Sequence, residues 1–205
     1  MFDDLIAESA AYYTRALQLH GPVPRGVDWN SAESQQLRFE QLLRICDADH
    51  YSLLDYGCGY GALAARIVND HRLAAYIGYD PSEEMVHRAH AMAPSPRVAF
   101  RSDLSQLNTA DFVVASGVFN VKQESPRERW HEYIVAQIRE LDRLSTKGFS
   151  FNLLTSYSDP ERQRSDLYYG DPCFFFNFAK RTFSRDVYLL HDYGLFEFTI
   201  GVRKA

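Results

Sequence analysis

Residues 53–61, which read LLDYGCGYG, constrain this chain more than any other stretch. They form a short apolar run that ends at Asp55, followed by glycines at 57, 59 and 61 and then by residues 62–64, Ala-Leu-Ala. Glycine permits the positive φ of a tight strand-to-helix turn and leaves no Cβ between the backbone and a ligand. The N–H groups that open the next helix suit a carboxylate or phosphate. The pattern predicts a nucleotide-like cofactor here, although a plain strand-to-helix turn would also explain the glycines.

Three more predicted strands end on small or acidic residues. Strand 75–79 ends at Asp80, which is placed to accept both hydroxyls of a ribose. Strand 98–100 and strand 111–115 follow, and the residues after them are Asp103-Leu104 and Ser116-Gly117, respectively. Because these strand ends share one edge of a sheet, we expect the side chains to surround a single crevice.

The combined pattern, D-x-G-x-G-x-G with acids downstream, resembles the class I S-adenosylmethionine (SAM) dependent methyltransferases over nearly the whole chain. The resemblance implies SAM as cofactor and S-adenosylhomocysteine (SAH) as product. It also implies a cofactor site with the following members: Gly57 and Gly59 at the methionine part of SAM, with Asp55 before them; Asp80, followed by Pro81, at the ribose; Asp103 and Leu104 at the adenine; Ser116 and Gly117 beneath the sulfonium.

Strands and helices alternate from residue 51 to 101, which implies a parallel sheet covered on both faces. Near the end, strands 186–191 and 195–203 are separated by three residues, too few for a crossover helix, so they must form an antiparallel hairpin. The predicted fold is α/β, a seven-stranded mostly parallel sheet with an antiparallel last strand. We expect one domain over 1–205, with an N-terminal helical lid over 1–48 and the core sheet over 49–205.

Charge and cysteine content restrict the partners. A formal charge of −5 and a pI near 5.8 disfavour nucleic acid as the main partner. Three cysteines without metal-ligand spacing indicate free thiols in a reducing compartment. With neither a signal peptide nor an apolar run of about 20 residues, we expect a cytoplasmic protein without a membrane partner. We predict no metal, and a monomer or a homodimer.

The acceptor site is expected beyond the carboxyl ends of the strands. Asn120, Tyr157 and His191 follow the fourth, fifth and sixth predicted strands and are the candidate catalytic residues. His191 is the preferred general base because imidazole titrates near neutrality, although a histidine satisfied within a hairpin turn is the alternative. The turn at 116–120, SGVFN, lacks the Asn/Asp-Pro-Pro-aromatic pattern of enzymes that methylate amide or nucleobase nitrogens.

Residues 24–38 are rich in directional polar groups. This segment resembles the N-terminal region of a group of small bacterial methyltransferases of mostly unassigned substrate. Our hypothesis is a lid on SAM, with Arg38 near the methionine carboxylate and Trp29 flanking the cofactor. The alternative is a capped helix with a solvated face.

These features predict SAM-dependent methyl transfer to oxygen or nitrogen of a small-molecule acceptor. One alternative is a SAM-binding protein without turnover, acting as a sensor or as a partner subunit. A second is an NAD(P)-dependent oxidoreductase, which the spacing of the third glycine and the terminal hairpin disfavour.

Overall fold

A computed structural model describes residues 2–204, which build one eight-stranded sheet around which the helices pack. The strands are β1 (Tyr51–Tyr56), β2 (Leu73–Tyr79), β3 (Val98–Arg101), β4 (Ala110–Ala115), β5 (Ser145–Thr155), β6 (Tyr169–Gly170), β7 (Asp186–Leu190) and β8 (Glu197–Arg203). Their order across the sheet is β3-β2-β1-β4-β5-β8-β7, and β6 pairs with the last two residues of β5.

Strand directions confirm the predicted α/β class. Strand β8 runs antiparallel to both β5 and β7, and the other strand pairs of the described chain are parallel. The terminal hairpin is therefore present. The predicted count of seven strands was wrong by one, because β6 is only two residues long. Two residues carry no alternating pattern, so the sequence offered no signal for that strand.

The described residues form six α-helices around the sheet: α1 (Asp3–His20), α2 (Ala32–Leu43), α3 (Ala62–Ile67), α4 (Glu83–Met92), α5 (Arg127–Leu144) and α6 (Pro172–Thr182). On one face, Ile134 and Ile138 of α5 pack with Phe175 of α6 in a core that includes Phe149 of β5. On the other face, α2, α3 and α4 enclose a second core around Phe112 of β4. Within residues 2–204, no helix is both long and apolar enough to cross a bilayer.

The N-terminal segment is joined to the rest of the fold by two side-chain hydrogen bonds, one to β5 and one to the start of α4. Helix α2 starts where Ser31 Oγ accepts a hydrogen bond from the backbone N–H of Ser34 at 3.1 Å, which caps the helix. At its other end, the carbonyl of Leu42 accepts the hydroxyl of Ser150 at 2.8 Å. Helix α1 reaches the start of α4 through a 2.6 Å contact between Thr14 Oγ1 and Ser82 Oγ. These contacts hold the N-terminal helices against the core.

Candidate functional site

The turn after β1 is held to the end of β2. Gly57 and Gly59 have φ values of 80° and 53°, a backbone region that side chains with a Cβ rarely occupy. The N–H groups of Gly57 and Cys58 donate to the carbonyl of Tyr79 at 2.7 and 2.9 Å. The strand-to-helix turn is therefore narrow. A Cβ on Gly57 would lie 2.5 Å from Val118, whereas the space beside the Gly59 backbone is largely open.

Two acidic side chains flank this turn. Asp80 accepts the N–H of Gly59 at 3.0 Å on Oδ2 and the N–H of Ser82 at 2.9 Å on Oδ1. Burial raises the pKa of Asp80 to about 6, although both hydrogen bonds favour the ionised form. Asp55 accepts the Tyr76 hydroxyl at 2.6 Å. Burial raises the pKa of Asp55 to about 7; the Tyr76 hydrogen bond opposes this rise and the charge of Asp80 adds to it.

A cavity lies beside the turn. Its walls come from the ends of β1, β2 and β4 and from helix α1. Eight predicted cofactor residues line it: Asp55, Gly57, Gly59, Asp80, Pro81, Ser116, Gly117 and Trp29. The oxygen of the Ser116 side chain is buried without a hydrogen-bond partner in the described chain. The cavity thus combines bare backbone, two carboxylates and an unsatisfied hydroxyl.

Asp103 and Leu104 lie outside the cavity lining. Asp103 is exposed and caps the short 3₁₀ turn Leu104–Gln106, accepting the N–H of Ser105 at 2.8 Å and its hydroxyl at 2.7 Å. These bonds with Ser105 hold the pKa of Asp103 below its ordinary value. Leu104 is half-buried against the core. A contact of either residue with adenine stays a prediction.

Arg38 is also absent from the cavity lining, because a buried carboxylate already binds it. Its Nε donates to both carboxylate oxygens of Glu197 at 2.8 Å, and its Nη2 donates to Oε1 at 2.6 Å. The two side chains are 8% and 1% exposed. Nη1 of Arg38 is buried without a partner in the described chain. The predicted contact with the methionine carboxylate is untested, and the observed partner of Arg38 is the carboxylate of the protein itself.

A buried hydrogen-bonded chain extends from this ion pair to the cavity wall. Asn152 donates from Nδ2 to Glu197 at 2.8 Å and accepts the N–H of Gly117 on Oδ1 at 2.7 Å. Gly117 has a φ of 71°, and a Cβ there would lie 2.4 Å from the Trp29 ring. The guanidinium of Arg38 lies 3.9 Å from the centroid of that ring. Trp29 is therefore held between Arg38 and the bare backbone of Gly117, as part of the cavity wall.

None of the three candidate catalytic residues lines the cavity. Asn120 is buried and uses Oδ1 to accept the N–H of Leu154 at 3.1 Å. Tyr157 and His191 are exposed, with ring centroids 5.9 Å apart. His191 follows β7, which lies at the far end of the strand order from β3, four strands from β1. Sharing an edge of the sheet does not bring a side chain to one crevice, and the catalytic roles of these residues stay predictions.

Helix α1 lies within the segment 1–48 that was predicted as a helical lid, but the sequence named none of its residues as part of the site. Ile6, Ser9, Ala10 and Tyr13 line the cavity from this helix, and Tyr133 of α5 lines it from another side. Their spacing is typical of the apolar stripe of an ordinary amphipathic helix, so the pattern did not separate core packing from a cavity wall. Tyrosines on such a stripe were the available signal, since a buried hydroxyl needs a partner.

The sequence is similar to those of known proteins over much of its length. A family model described as "Methyltransferase domain" matches residues 54–148. A Mycobacterium tuberculosis (strain H37Rv) protein named "Putative methyltransferase Rv1506c" is 48% identical over 170 residues, which cover 80% of this chain and 99% of that protein.

Solved structures give the same picture of the fold. The N-methyltransferase NodS from Bradyrhizobium japonicum WM9, crystallised with SAH, matches with a TM-score of 0.66 and 13% identity over 95% of this chain and 97% of that one. The small RNA methyltransferase HEN1 matches with a TM-score of 0.62 and 18% identity over 83% of this chain and 25% of that one. The sheet ends in the β8–β7 hairpin, the methyltransferase family model matches residues 54–148, and the Mycobacterium tuberculosis protein is 48% identical over 80% of this chain. This chain therefore belongs to the class I SAM-dependent methyltransferases.

Proposed function

We propose that this protein transfers a methyl group from SAM to oxygen or nitrogen of a small-molecule acceptor. The observation that carries the proposal is the convergence of Gly57, Gly59, Asp80 and Ser116 on one cavity. Val27 is the one neighbour within 4 Å of the position that a Cβ on Gly59 would take, at 3.3 Å. The space beside this backbone is therefore largely open, and because glycine has no Cβ to fill it, a ligand can approach the backbone closely.

The residues of the cavity fit the cofactor. The carboxylate of Asp80 uses one lone pair on each oxygen for backbone N–H groups and keeps acceptor capacity for ribose hydroxyls. The buried Ser116 hydroxyl lacks a partner in the described chain, and a polar ligand in the cavity would satisfy it. When bound, SAM supplies an electrophilic methyl group on a positively charged sulfur.

The contribution of the protein is to hold the reactants in place. Positioning of two reactants supplies up to about 7–11 kcal/mol of a barrier. Here residues of α1 and Trp29 line the same cavity as the glycine turn, and we expect them to restrict how the acceptor approaches. Among the described residues, no group of three or more His, Cys, Asp or Glu side chains is arranged to hold a metal ion.

Several properties of the proposal rest on sequence. The net charge of −5 favours a small-molecule acceptor over nucleic acid, although one structural neighbour, HEN1, is named as a small RNA methyltransferase. The name of NodS as an N-methyltransferase agrees with nitrogen as one of the two acceptor atoms. A single domain over 1–205, a cytoplasmic location and a monomer or homodimer stay predictions.

A thermal-shift experiment tests the cofactor. Ligands that bind only the folded state raise the melting temperature with concentration. SAM and SAH should each raise it, and NAD should leave it unchanged. A shift with NAD and none with SAH would favour the oxidoreductase alternative.

Turnover separates an enzyme from a binding protein. The protein is incubated with SAM labelled in its methyl group and with a small-metabolite extract, and label is followed into products. Transfer to a small molecule is the expected result, and a protein heated to unfolding is the control. Tight SAH binding without any labelled product would instead favour a sensor or a partner subunit.

A further inference from the structure

The proposed cofactor brings a carboxylate into a cavity that has no cation to receive it. SAM and SAH both carry this group at the methionine end, and the described walls of the cavity contain no lysine, arginine or histidine. The charged side chains of the lining are Asp55 and Asp80, which repel an anion. Arg38 is bonded to Glu197 and lies outside the lining. Because a buried carboxylate without partners is costly, neutral N–H or O–H donors of the cavity have to bind it.

Gln35 presents such a donor. It lies near the start of α2, is 4% exposed and lines the cavity. Its Oε1 accepts the hydroxyl of Tyr60 at 3.3 Å, and its Nε2 has no hydrogen-bond partner in the described chain. Nε2 nevertheless keeps accessible surface, unlike unpartnered atoms that are fully enclosed, such as Ser116 Oγ. Since the residue borders the cavity and is otherwise buried, the free amide N–H groups are available to a ligand there.

Tyr60 places this amide at the glycine turn. Tyr60 stands between Gly59 and Gly61 and also lines the cavity, so its hydrogen bond ties Gln35 to the turn itself. Val27 of the N-terminal segment lies against the same turn, 3.3 Å from the position that a Cβ on Gly59 would take. The family resemblance assigns this turn to the methionine part of SAM. The amide of Gln35 is therefore at the end of the cavity where the carboxylate is expected.

The free tyrosine hydroxyls of the lining lie nearer to Asp80. Tyr79 directly precedes Asp80, and Tyr13 and Tyr133 also line the cavity without a hydrogen bond in the described chain. Burial raises the pKa of Tyr13, and the nearby charge of Asp80 adds to this rise, as does Tyr133. Tyr133 in turn interacts electrostatically with Tyr79. A carboxylate on this side would be repelled by Asp80. Trp29 and Ser116 adjoin Gly117, where the resemblance implies the sulfonium.

We infer that the side-chain amide of Gln35 donates to the carboxylate of the bound cofactor, and that Tyr60 is a positioning residue that orients this amide. The inference rests on the proposed function. A primary amide offers two N–H donors, and a hydrogen bond to a carboxylate is stronger than one to a neutral acceptor. Gln35 thus supplies the contact that Arg38, three residues along α2, does not make while it is paired with Glu197.

A ligand that lacks only the carboxylate isolates this contact. Isothermal titration calorimetry gives the dissociation constants of SAH and of decarboxylated SAH, and the wild type should bind both, SAH more tightly. Gln35→Met removes the amide, and Gln35→Glu replaces its donors with an anion. Each variant should bind SAH at least about 10- to 150-fold more weakly than the wild type does. Neither should bind decarboxylated SAH more weakly than the wild type, which also shows that the cavity is still folded.

Two further variants complete the experiment. Gln36→Glu is the matched control, because Gln36 is the adjacent residue on α2, accepts a hydrogen bond from Arg66 and does not line the cavity. It should bind both ligands as the wild type does. Tyr60→Phe should weaken SAH binding by about 2- to 12-fold in the wild type. It should have no further effect in Gln35→Met, because its hydroxyl acts through Gln35.

The outcomes distinguish this role of Gln35 from the proposed function. Absence of SAH binding to the wild type would overturn the proposed function, and the role of Gln35 with it. If the wild type binds SAH, the role of Gln35 alone is overturned by equal affinity for the two ligands, by Gln35 variants that lose both ligands to the same extent, or by variants that keep the affinity for SAH. An equal effect of Tyr60→Phe in the wild type and in Gln35→Met would overturn the positioning role of Tyr60.

Discussion

Removal of the Glu197 carboxylate is the sharpest perturbation of the cavity wall. In Glu197→Met the guanidinium of Arg38 would stay buried with its charge uncompensated, because all its observed side-chain hydrogen bonds go to Glu197. Asn152 would also lose the acceptor of its Nδ2 group. The variant should therefore be strongly destabilised.

The expected loss follows from the burial of the pair. Leaving one charge of a buried ion pair without its partner costs about 3–5 kcal/mol. An unsatisfied buried amide donor adds about 1–3 kcal/mol. Against a typical total stability of about 5–15 kcal/mol, this is a large fraction, so Glu197→Met should unfold at much lower urea concentration than the wild type.

A double variant separates the two contributions. In Arg38→Met/Glu197→Met both charges are gone, and apolar replacement of a buried pair is often close to neutral. The double variant should therefore recover the charge contribution, about 3–5 kcal/mol, and retain only the cost at Asn152. Urea unfolding of the two variants and the wild type, followed by circular dichroism, gives all three free energies.

Fluorescence reports the same change at the cavity. Trp130 is 1% exposed and donates to the Phe119 carbonyl, so iodide in solution quenches mainly Trp29. Loss of Glu197 frees Arg38 from its position over the Trp29 ring, and quenching should increase. A Glu197→Met variant within about 1 kcal/mol of wild type, or a double variant less stable than the single one, would refute the proposed cost of the unpaired charge.

Two further predictions concern Gly117, which follows β4, and Asp55 of β1. Gly117→Ala should increase iodide quenching of Trp29, because the new Cβ would lie 2.4 Å from the ring. The control Gly194→Ala, at a glycine with the same φ of 71° and open space around it, should leave the quenching of Trp29 unchanged. Equal quenching in the two variants would contradict the contact between Gly117 and Trp29. Asp55 has a pKa near 7 in the folded protein and an ordinary value of 3.8, so the folded state holds its proton more tightly and stability is lost as pH rises from about 4 to 7. Relative to Asp55→Asn, the wild type should therefore lose roughly 4 kcal/mol of unfolding free energy between pH 4 and pH 8, measured by urea unfolding; a pH-independent difference would show that Asp55 ionises normally.

The sequence predicted the sheet and the glycine turn because their signals are local. The apolar runs, the turn residues 57–61 and the short link between the last two strands, predicted as three residues and observed as residues 191–196, each specify a structure within a few positions. Asp80 lies at the cavity because it directly follows β2, which is next to β1 in the sheet. Adjacent strands leave little freedom in where such a residue lies.

The rest depended on contacts between distant segments. The pairing of Arg38 with Glu197 joins residues 159 positions apart, and neither position carries a pattern that names the other. His191 was assigned to the edge of the sheet that it does occupy, but its distance from β1 depends on the order of four strands. The segment 1–48 was predicted as a lid, but the residues of α1 that line the cavity could not be named, because a helix stripe that packs and one that lines a cavity have the same periodicity.

Isothermal titration calorimetry with SAH tests the central claim most directly. The wild type should bind one SAH per chain, and Asp80→Ala should bind it about 10- to 150-fold more weakly, since a hydrogen bond to a charged group contributes about 1.5–3 kcal/mol. Asp49→Ala, which removes an exposed acid outside the cavity, should bind as the wild type does. No heat of binding with the wild type, or equal affinity in Asp80→Ala, would contradict the assignment of this cavity to the cofactor.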